Sequence, residues 1–254
     1  MDSEKEYLIE FKDISKVFTT ENSNEVNALE GFSYGIKNGE FISILGPSGC
    51  GKSTILRISA GLLKATSGEI VFRGSRLEST HDKIGMVFQE YSLLPWRNIL
   101  DNTALGLEFK KIPEKKRIET ALFYLNLVGL ENFKYSMPYE LSGGMQQRAA
   151  IARAMATDPE VLLMDEPFGA LDAHTRSLMQ HELLKIWEKN KKTILFVTHS
   201  VDEAVYLSDK IIVMSKRPGR IKKVFDIDKK RPRKRNDIYW GALSSEIFDL
   251  LQSD

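Results

Sequence analysis

Short, nearly unbroken apolar runs alternate along this chain with longer stretches of helical periodicity. Five runs, Phe41–Leu45, 84–88, 161–164, 194–198 and 211–214, are bounded by glycine, proline or polar residues. Runs of this length predict strands, and their continuous apolarity predicts strands covered on both faces. Residues 52–63 and 173–189 carry helical patterns between them. Strands and helices in alternation predict a mainly parallel sheet with helices on either side. Tyr7-Leu8-Ile9-Glu10-Phe11 and Glu69-Ile70-Val71-Phe72-Arg73 read as antiparallel strands flanking that core.

Between residues 97 and 156 the pattern changes. Ile118, Ala121, Leu122, Leu125 and Val128 recur at helical spacing, as do Met145, Ala149, Ala152 and Ala156, and no strand is legible. The fold class expected is therefore α/β, with an antiparallel β flank and an inserted helical subdomain. The division expected is one large domain over 1–220, its α/β core at about 1–90 and 159–220 and its helical part at about 91–158. A short basic extension follows at 221–254.

Composition narrows the class without naming a chemistry. The 254 residues are 42% hydrophobic and 28% charged, as in ordinary globular proteins. No apolar run reaches the roughly 18 residues a membrane helix needs. The acidic start, Met1-Asp2-Ser3-Glu4-Lys5-Glu6, is not a signal peptide, so a cytoplasmic location is expected. A single cysteine, Cys50, excludes an internal disulfide. The formal net charge of +1 gives no global attraction for nucleic acid, and none is expected as a partner. From Lys216 to Arg235, however, eleven Lys or Arg stand against two Asp, densest at Lys229-Lys230-Arg231-Pro232-Arg233-Lys234-Arg235. Such a run is either a solvated surface or a contact for anionic lipid or a membrane partner.

Candidate chemistry begins at Gly46-Pro47-Ser48-Gly49-Cys50-Gly51-Lys52-Ser53-Thr54, which matches G-x-x-x-x-G-K-[ST] between a predicted strand and a predicted helix. Glycines allow a tight turn whose N–H groups face an anion, and the helix aims its positive end at the same place. Lys52 is suited to the outer phosphates of a nucleotide and Ser53 to Mg²⁺. Val161-Leu162-Leu163-Met164-Asp165-Glu166-Pro167 ends an apolar strand in two acids. Asp165 is placed to hold Mg²⁺ through its water shell, and Glu166 to polarise an attacking water. In Leu141-Ser142-Gly143-Gly144-Met145-Gln146-Gln147-Arg148, Ser142 is a good N-cap. The two glycines leave the first helical N–H groups open to an anion. An ordinary capped helix start has the same features, so the physics alone leaves both readings open.

Leu-Ser-Gly-Gly followed by Gln-Arg, about twenty residues before an apolar-Asp-Glu-Pro strand, resembles the signature of ABC ATPases. Further marks follow in the family's order. Gln89 resembles the glutamine that senses Mg²⁺ and the attacking water. Gly169-Ala170-Leu171-Asp172 resembles the D-loop, and His199 the switch histidine at the γ-phosphate. Phe18 stands where the family places an aromatic on adenine. His81, His174 and His181 match nothing and read as surface residues. The resemblance spans about residues 7–220, with Met145 where many relatives carry Gln. It implies a RecA-like phosphate-loop core that binds ATP and Mg²⁺. It also implies a head-to-tail dimer in which each ATP lies between one copy's phosphate loop and the other's Ser142, Gly143 and Gly144.

Leu94-Pro95-Trp96-Arg97-Asn98, Leu141-Ser142-Gly143-Gly144-Met145 and Lys216-Arg217-Pro218-Gly219-Arg220-Ile221 are similar to one importer subgroup, which takes up nitrate, sulfonates and taurine, bicarbonate or thiamine-precursor pyrimidines. The partners this implies are two transmembrane permease subunits at the cytoplasmic face of the membrane and, indirectly, an extracytoplasmic solute-binding protein. Tyr91, Leu93, Leu94 and Trp96 form a candidate contact surface, or else pack onto the helical lobe. ABC ATPases that act on DNA or ribosomes are the alternative. Against it, the roughly 90 residues between phosphate loop and signature hold no heptad run and no Cys pair.

Overall fold

A computed structural model describes residues 7–19, 23–229, 231, 233 and 238–253. The acidic residues at 1–6 and Lys230, Pro232, Lys234 and Arg235 of the basic run lie outside the described residues. The chain divides into two compact units, Met1–His81 with Lys191–Asp254, and Asp82–Asn190.

The first unit is built from two sets of strands. In an antiparallel sheet β1 (Ile9–Thr19) pairs with β2 (Glu25–Ile36) on one side and with β4 (Ser67–Phe72) on the other, and β4 pairs with β5 (Ser75–Arg76). Its buried face holds Phe11 and Phe32 edge to face, with centroids 5.3 Å apart. In the second set β3 (Phe41–Leu45) pairs in parallel with β8 (Thr193–Val197) and β9 (Lys210–Met214), while β10 (Ile221–Asp226) joins β9 antiparallel. Every residue of β3 and β8 is buried, Ser43 and Thr193 included, as their nearly continuous apolar runs predicted.

Helix α1 (Lys52–Ser59) follows β3 and stops four residues short of the predicted end. There Gly61 takes a positive φ and approaches Ser79 so closely that a Cβ would sit 2.2 Å from its carbonyl oxygen. Helices α6 (Val201–Leu207) and α7 (Ile238–Gln252) complete the unit. Val205, Phe225, Trp240 and Ile247 share one apolar cluster with Leu45 and Val213, so the residues after 220 enter the core through β10 and α7.

The second unit holds the parallel pair β6 (Ile84–Val87) and β7 (Val161–Asp165). Its helices are α2 (Ile99–Phe109), α3 (Glu114–Leu127), α4 (Gly143–Ala156) and α5 (Ala173–Asn190). The described residues between β6 and β7 contain helices and no strand. Small buried side chains on α4, Ala149, Ala150, Ala152 and Ala156, let its neighbours come close. Gly106 of α2 shows how close, since a Cβ there would lie 2.2 Å from Thr157.

Two arginines of the basic run are spent inside the first unit, while Lys216, Arg217, Arg220, Lys223 and Lys229 are exposed. Arg233, only 6% exposed, donates to the carbonyls of Val205 at 2.8 Å and Ser208 at 2.6 Å. Arg231 pairs with Asp209 and donates to Leu207 O. These are the orphan carbonyls at the end of α6, which need donors once the helix stops. For these two arginines neither a solvated surface nor a lipid contact describes the outcome.

Candidate functional site

The loop between β3 and α1 is shaped by its glycines. Gly49 and Gly51 take φ of 76° and 96°, a region that side chains with a Cβ resist. Gly51 is the N-cap of α1, and a Cβ on it would lie 2.6 Å from Leu29 and 2.8 Å from Ala28 O. No acid occupies the first turn of α1, so nothing opposes an anion at its N-terminus. Gly46 is buried, Pro47 is half-buried, and Ser48 and Gly49 are exposed. Lys52 is buried with its ammonium folded over the loop, donating to Gly46 O at 2.8 Å and Pro47 O at 3.0 Å. Ser53 and Thr54 follow, both half-buried, on the same first turn. Cys50 is fully buried, and burial pushes its thiol above the usual cysteine range. Its side chain thus serves packing.

The same unit carries Phe18 and His199. Phe18 lies on β1 opposite Val26, 39% exposed, with the Lys16 ammonium 5.1 Å from its ring centre. An exposed aromatic on a strand is not the core-facing residue that a simple packing role would need. His199 is exposed just past β8. The residues either side of it are tied down: Thr198 Oγ1 donates to the Glu203 carboxylate at 2.6 Å and accepts the Ser200 N–H at 3.0 Å. Ser200 in turn caps α6 by accepting the Glu203 N–H at 3.3 Å. Thr198 and Glu203 were not singled out by sequence reasoning. Ser200-Val201-Asp202-Glu203 fits the capping-box pattern, which could have flagged Glu203, whereas nothing local marks Thr198.

The remaining site residues belong to the second unit. Asp165 ends β7 and is 3% exposed. Glu166 follows at φ 46°, left-handed and uncommon for a residue with a Cβ, and its carbonyl accepts the Gly169 N–H at 3.2 Å in a tight turn. That turn redirects the chain at Glu166, directly after the strand's last residue. Asp172 caps α5 by accepting the Thr175 N–H, which holds its carboxyl below the usual range.

Gln89 is exposed beyond β6. The segment after it is fastened to α4 by Arg153, whose guanidinium donates to Ser92 O at 2.6 Å and Tyr91 O at 3.0 Å. Tyr91 Oη lies 2.7 Å from where a Cβ on Gly143 would be, so a larger residue there would displace the end of that side chain. Ser142 is exposed at the N-cap of α4, its hydroxyl accepting the Met145 N–H at 3.4 Å, with Gly143 and Gly144 beneath it half-buried. Arg153 gave no signal in the sequence, being one arginine among many on a helix.

Tyr91, Leu93 and Leu94 are half-buried, whereas Trp96 is 71% exposed. The loop that displays Trp96 is organised by Asn102, fully buried. Its amide donates to the carbonyls of Leu94, Arg97 and Asn98 and accepts the Leu94 N–H. His81, His174 and His181 are all exposed, as expected.

A glycine-shaped anion loop running from a buried strand into a helix, in an α/β fold with a strand ending in two acids, defines a phosphate-loop ATPase. A family model described as ABC transporter matches residues 29–169. An uncharacterized ABC transporter ATP-binding protein of Methanocaldococcus jannaschii is 50% identical, over 97% of this chain and 92% of its own length. An aliphatic sulfonates import ATP-binding protein of Bacillus cereus is 45% identical over 94% of each chain. A taurine import ATP-binding protein of Rhizobium johnstonii is 49% identical over 84% of this chain and 82% of its own. Among solved structures, the dimeric form of a bacterial ABC transporter cassette superposes with a TM-score of 0.81 at 36% identity, covering 87% of this chain and all of that one. The same cassette in a post-hydrolysis state bound to ADP and Pi gives 0.80 at 35%, covering the same shares. The chain belongs to the ABC transporter family and is an ABC transporter ATPase. Among its described residues no helix is long and apolar enough to cross a membrane.

Proposed function

We propose that this chain is the ATP-hydrolysing subunit of an importer for a small sulfonate or taurine-like solute, at the cytoplasmic face of two permease subunits. The observation that carries the reading is the exposed Ser142 at the glycine-rich start of α4, in a chain 45–49% identical to sulfonate and taurine import proteins. A capped helix that displays hydroxyl and N–H groups to solvent suits an anion brought by another molecule. Here that molecule is a second copy carrying ATP on its own phosphate loop, as the dimeric cassette related to it suggests.

Within one copy the roles divide by chemistry. Backbone N–H groups of Gly51 and the start of α1 hold phosphates, Lys52 neutralises their charge, and Phe18 stacks on the base. Ser53, Asp165 and Gln89 offer hydroxyl, carboxylate and amide oxygens, a hard donor set that fits Mg²⁺. The ion, when bound, neutralises charge on the β- and γ-phosphates. Glu166 is the base that polarises water, and His199 contacts the γ-phosphate. ATP joins two copies, hydrolysis parts them, and the motion passes to the permeases through the loop that displays Trp96. A separate extracytoplasmic protein delivers the solute.

Glu166→Gln tests the reading. It removes the base but keeps size and hydrogen bonding, so MgATP should bind and turnover should fall by about 10²–10⁴. Size-exclusion chromatography with MgATP should show a long-lived dimer, and Ser142→Arg in the same protein should return it to monomer. A Glu166→Gln variant that stays monomeric at saturating ATP, or hydrolyses at the parent rate, refutes the assignment.

A further inference from the structure

We propose that the tight loop at 215–219, between β9 and β10, is a brace for the phosphate loop, in which Gly219 and Arg217 are positioning residues for ATP. The proposal rests on reading 46–54 as the phosphate loop. The loop at 215–219 is closed on itself by Ser215. Its hydroxyl lies 3.0 Å from Pro218 O and accepts the Arg220 N–H at 3.0 Å, and its own N–H donates to Arg220 O at 2.9 Å. The closed turn is then fixed to β2, because the Gly219 N–H donates to Ala28 O at 3.0 Å and Gly219 O accepts the Glu30 N–H at 3.1 Å.

From that anchorage the turn presses on the phosphate loop at two carbonyls. A Cβ on Gly219 would lie 1.9 Å from Cys50 O and 2.8 Å from Met214, so the two backbones are in contact and only glycine fits. Arg217 donates through Nε to Gly49 O at 3.3 Å. In a planar trans peptide the C=O and the following N–H point opposite ways. Facing Cys50 O toward Gly219 therefore turns the Gly51 N–H away from the brace, and facing Gly49 O toward Arg217 does the same for Cys50. The Cys50 N–H closes the loop on Pro47 O at 3.3 Å, leaving the Gly51 N–H and the start of α1 for the anion. Arg217, exposed, adds a positive charge beside the same loop.

The test measures binding of a fluorescent ATP analogue with Mg²⁺, beside the melting temperature without nucleotide, on the full chain. Gly219→Ala should weaken binding about tenfold or more, since it pushes one peptide that directs a charge-assisted hydrogen bond. Arg217→Ala should weaken it about two- to fivefold, more at low salt, with Arg217→Lys recovering the loss and the melting temperature unmoved. Lys52→Ala is the control for the site itself. If Lys52→Ala loses ATP while Gly219→Ala and Arg217→Ala bind within twofold of the parent, the brace is wrong and the phosphate loop stands. If Lys52→Ala binds like the parent, the phosphate-loop reading fails and the brace with it. Should Gly219→Ala not fold, the Arg217 pair decides: loss with rescue by lysine supports the brace, and unchanged binding overturns it.

Discussion

Replacing Thr198 with Val keeps the shape of the side chain and removes one hydroxyl next to His199. That hydroxyl has two partners: it donates to the Glu203 carboxylate at 2.6 Å and accepts the Ser200 N–H at 3.0 Å. Thr198 is 1% exposed and Glu203 7%, so water replaces neither bond readily. A hydrogen bond to a charged group contributes about 1.5–3 kcal/mol, and a neutral one about 1 kcal/mol. Thr198→Val should therefore cost about 2–4 kcal/mol. In a chain of this size each kcal/mol lowers Tm by about 2–4 °C, which gives a fall of roughly 4–16 °C.

Thr198→Ser keeps both bonds and removes only a methyl group, worth about 1 kcal/mol. The contrast between the variants is the measurement. Thermal melts followed by circular dichroism, without nucleotide because a bound ligand shifts the midpoint, give it directly. ATP turnover should follow the same order, since the bonds pin the backbone on both sides of His199. A Val variant that melts within about 1 °C of the parent, or a Ser variant as damaged as Val, would falsify this account.

Arg233→Ala should destabilise the protein by about 2–4 kcal/mol in a denaturant titration, because it uncovers the Val205 and Ser208 carbonyls at the end of α6; a change below about 0.5 kcal/mol would contradict the buried geometry. Cys50 should resist alkylation at pH 7–8 in the folded protein and label rapidly in denaturant. Burial closes off the side chain and raises its pKa, so the reactive thiolate is scarcer than in a free cysteine, and mass spectrometry showing labelling as fast as a free thiol would refute this. Trp96→Ser should leave ATP turnover of the isolated chain near the parent's while weakening co-purification with the permease subunits; unfolding instead would mean that Trp96 packs inside. Asn102→Ala should weaken the same assembly by loosening the loop that displays Trp96, and should also cost stability, read as a lower Tm.

The strands of the α/β core were legible because a doubly covered strand has few polar positions to obscure it, and β3, β7 and β8 are buried throughout. β2 escaped notice because its buried and exposed residues do not alternate cleanly, and bulges shift its register against β1. Helices α6 and α7 were missed for a different reason: seven residues are too few to show a period, and α7 follows a run dominated by charge. The phosphate loop, the two acids after β7 and the Ser-Gly-Gly start of α4 could be read directly, since each is a local backbone device written in consecutive residues.

What tertiary structure decided is everything made by partners distant in sequence. Eleven basic residues in a row of twenty looked like a surface for water or lipid. Folding instead sends Arg231 and Arg233 back to the carbonyls of α6, because a helix end must find donors wherever the chain supplies them. The Arg153 clamp on the segment after Gln89 and Gly219 against Cys50 are of the same kind. Composition and spacing along the chain set which peptide can turn and which strand must be buried. Which carbonyl a given guanidinium or glycine will meet is settled only when non-local segments pack, since that choice depends on distances the linear order does not contain.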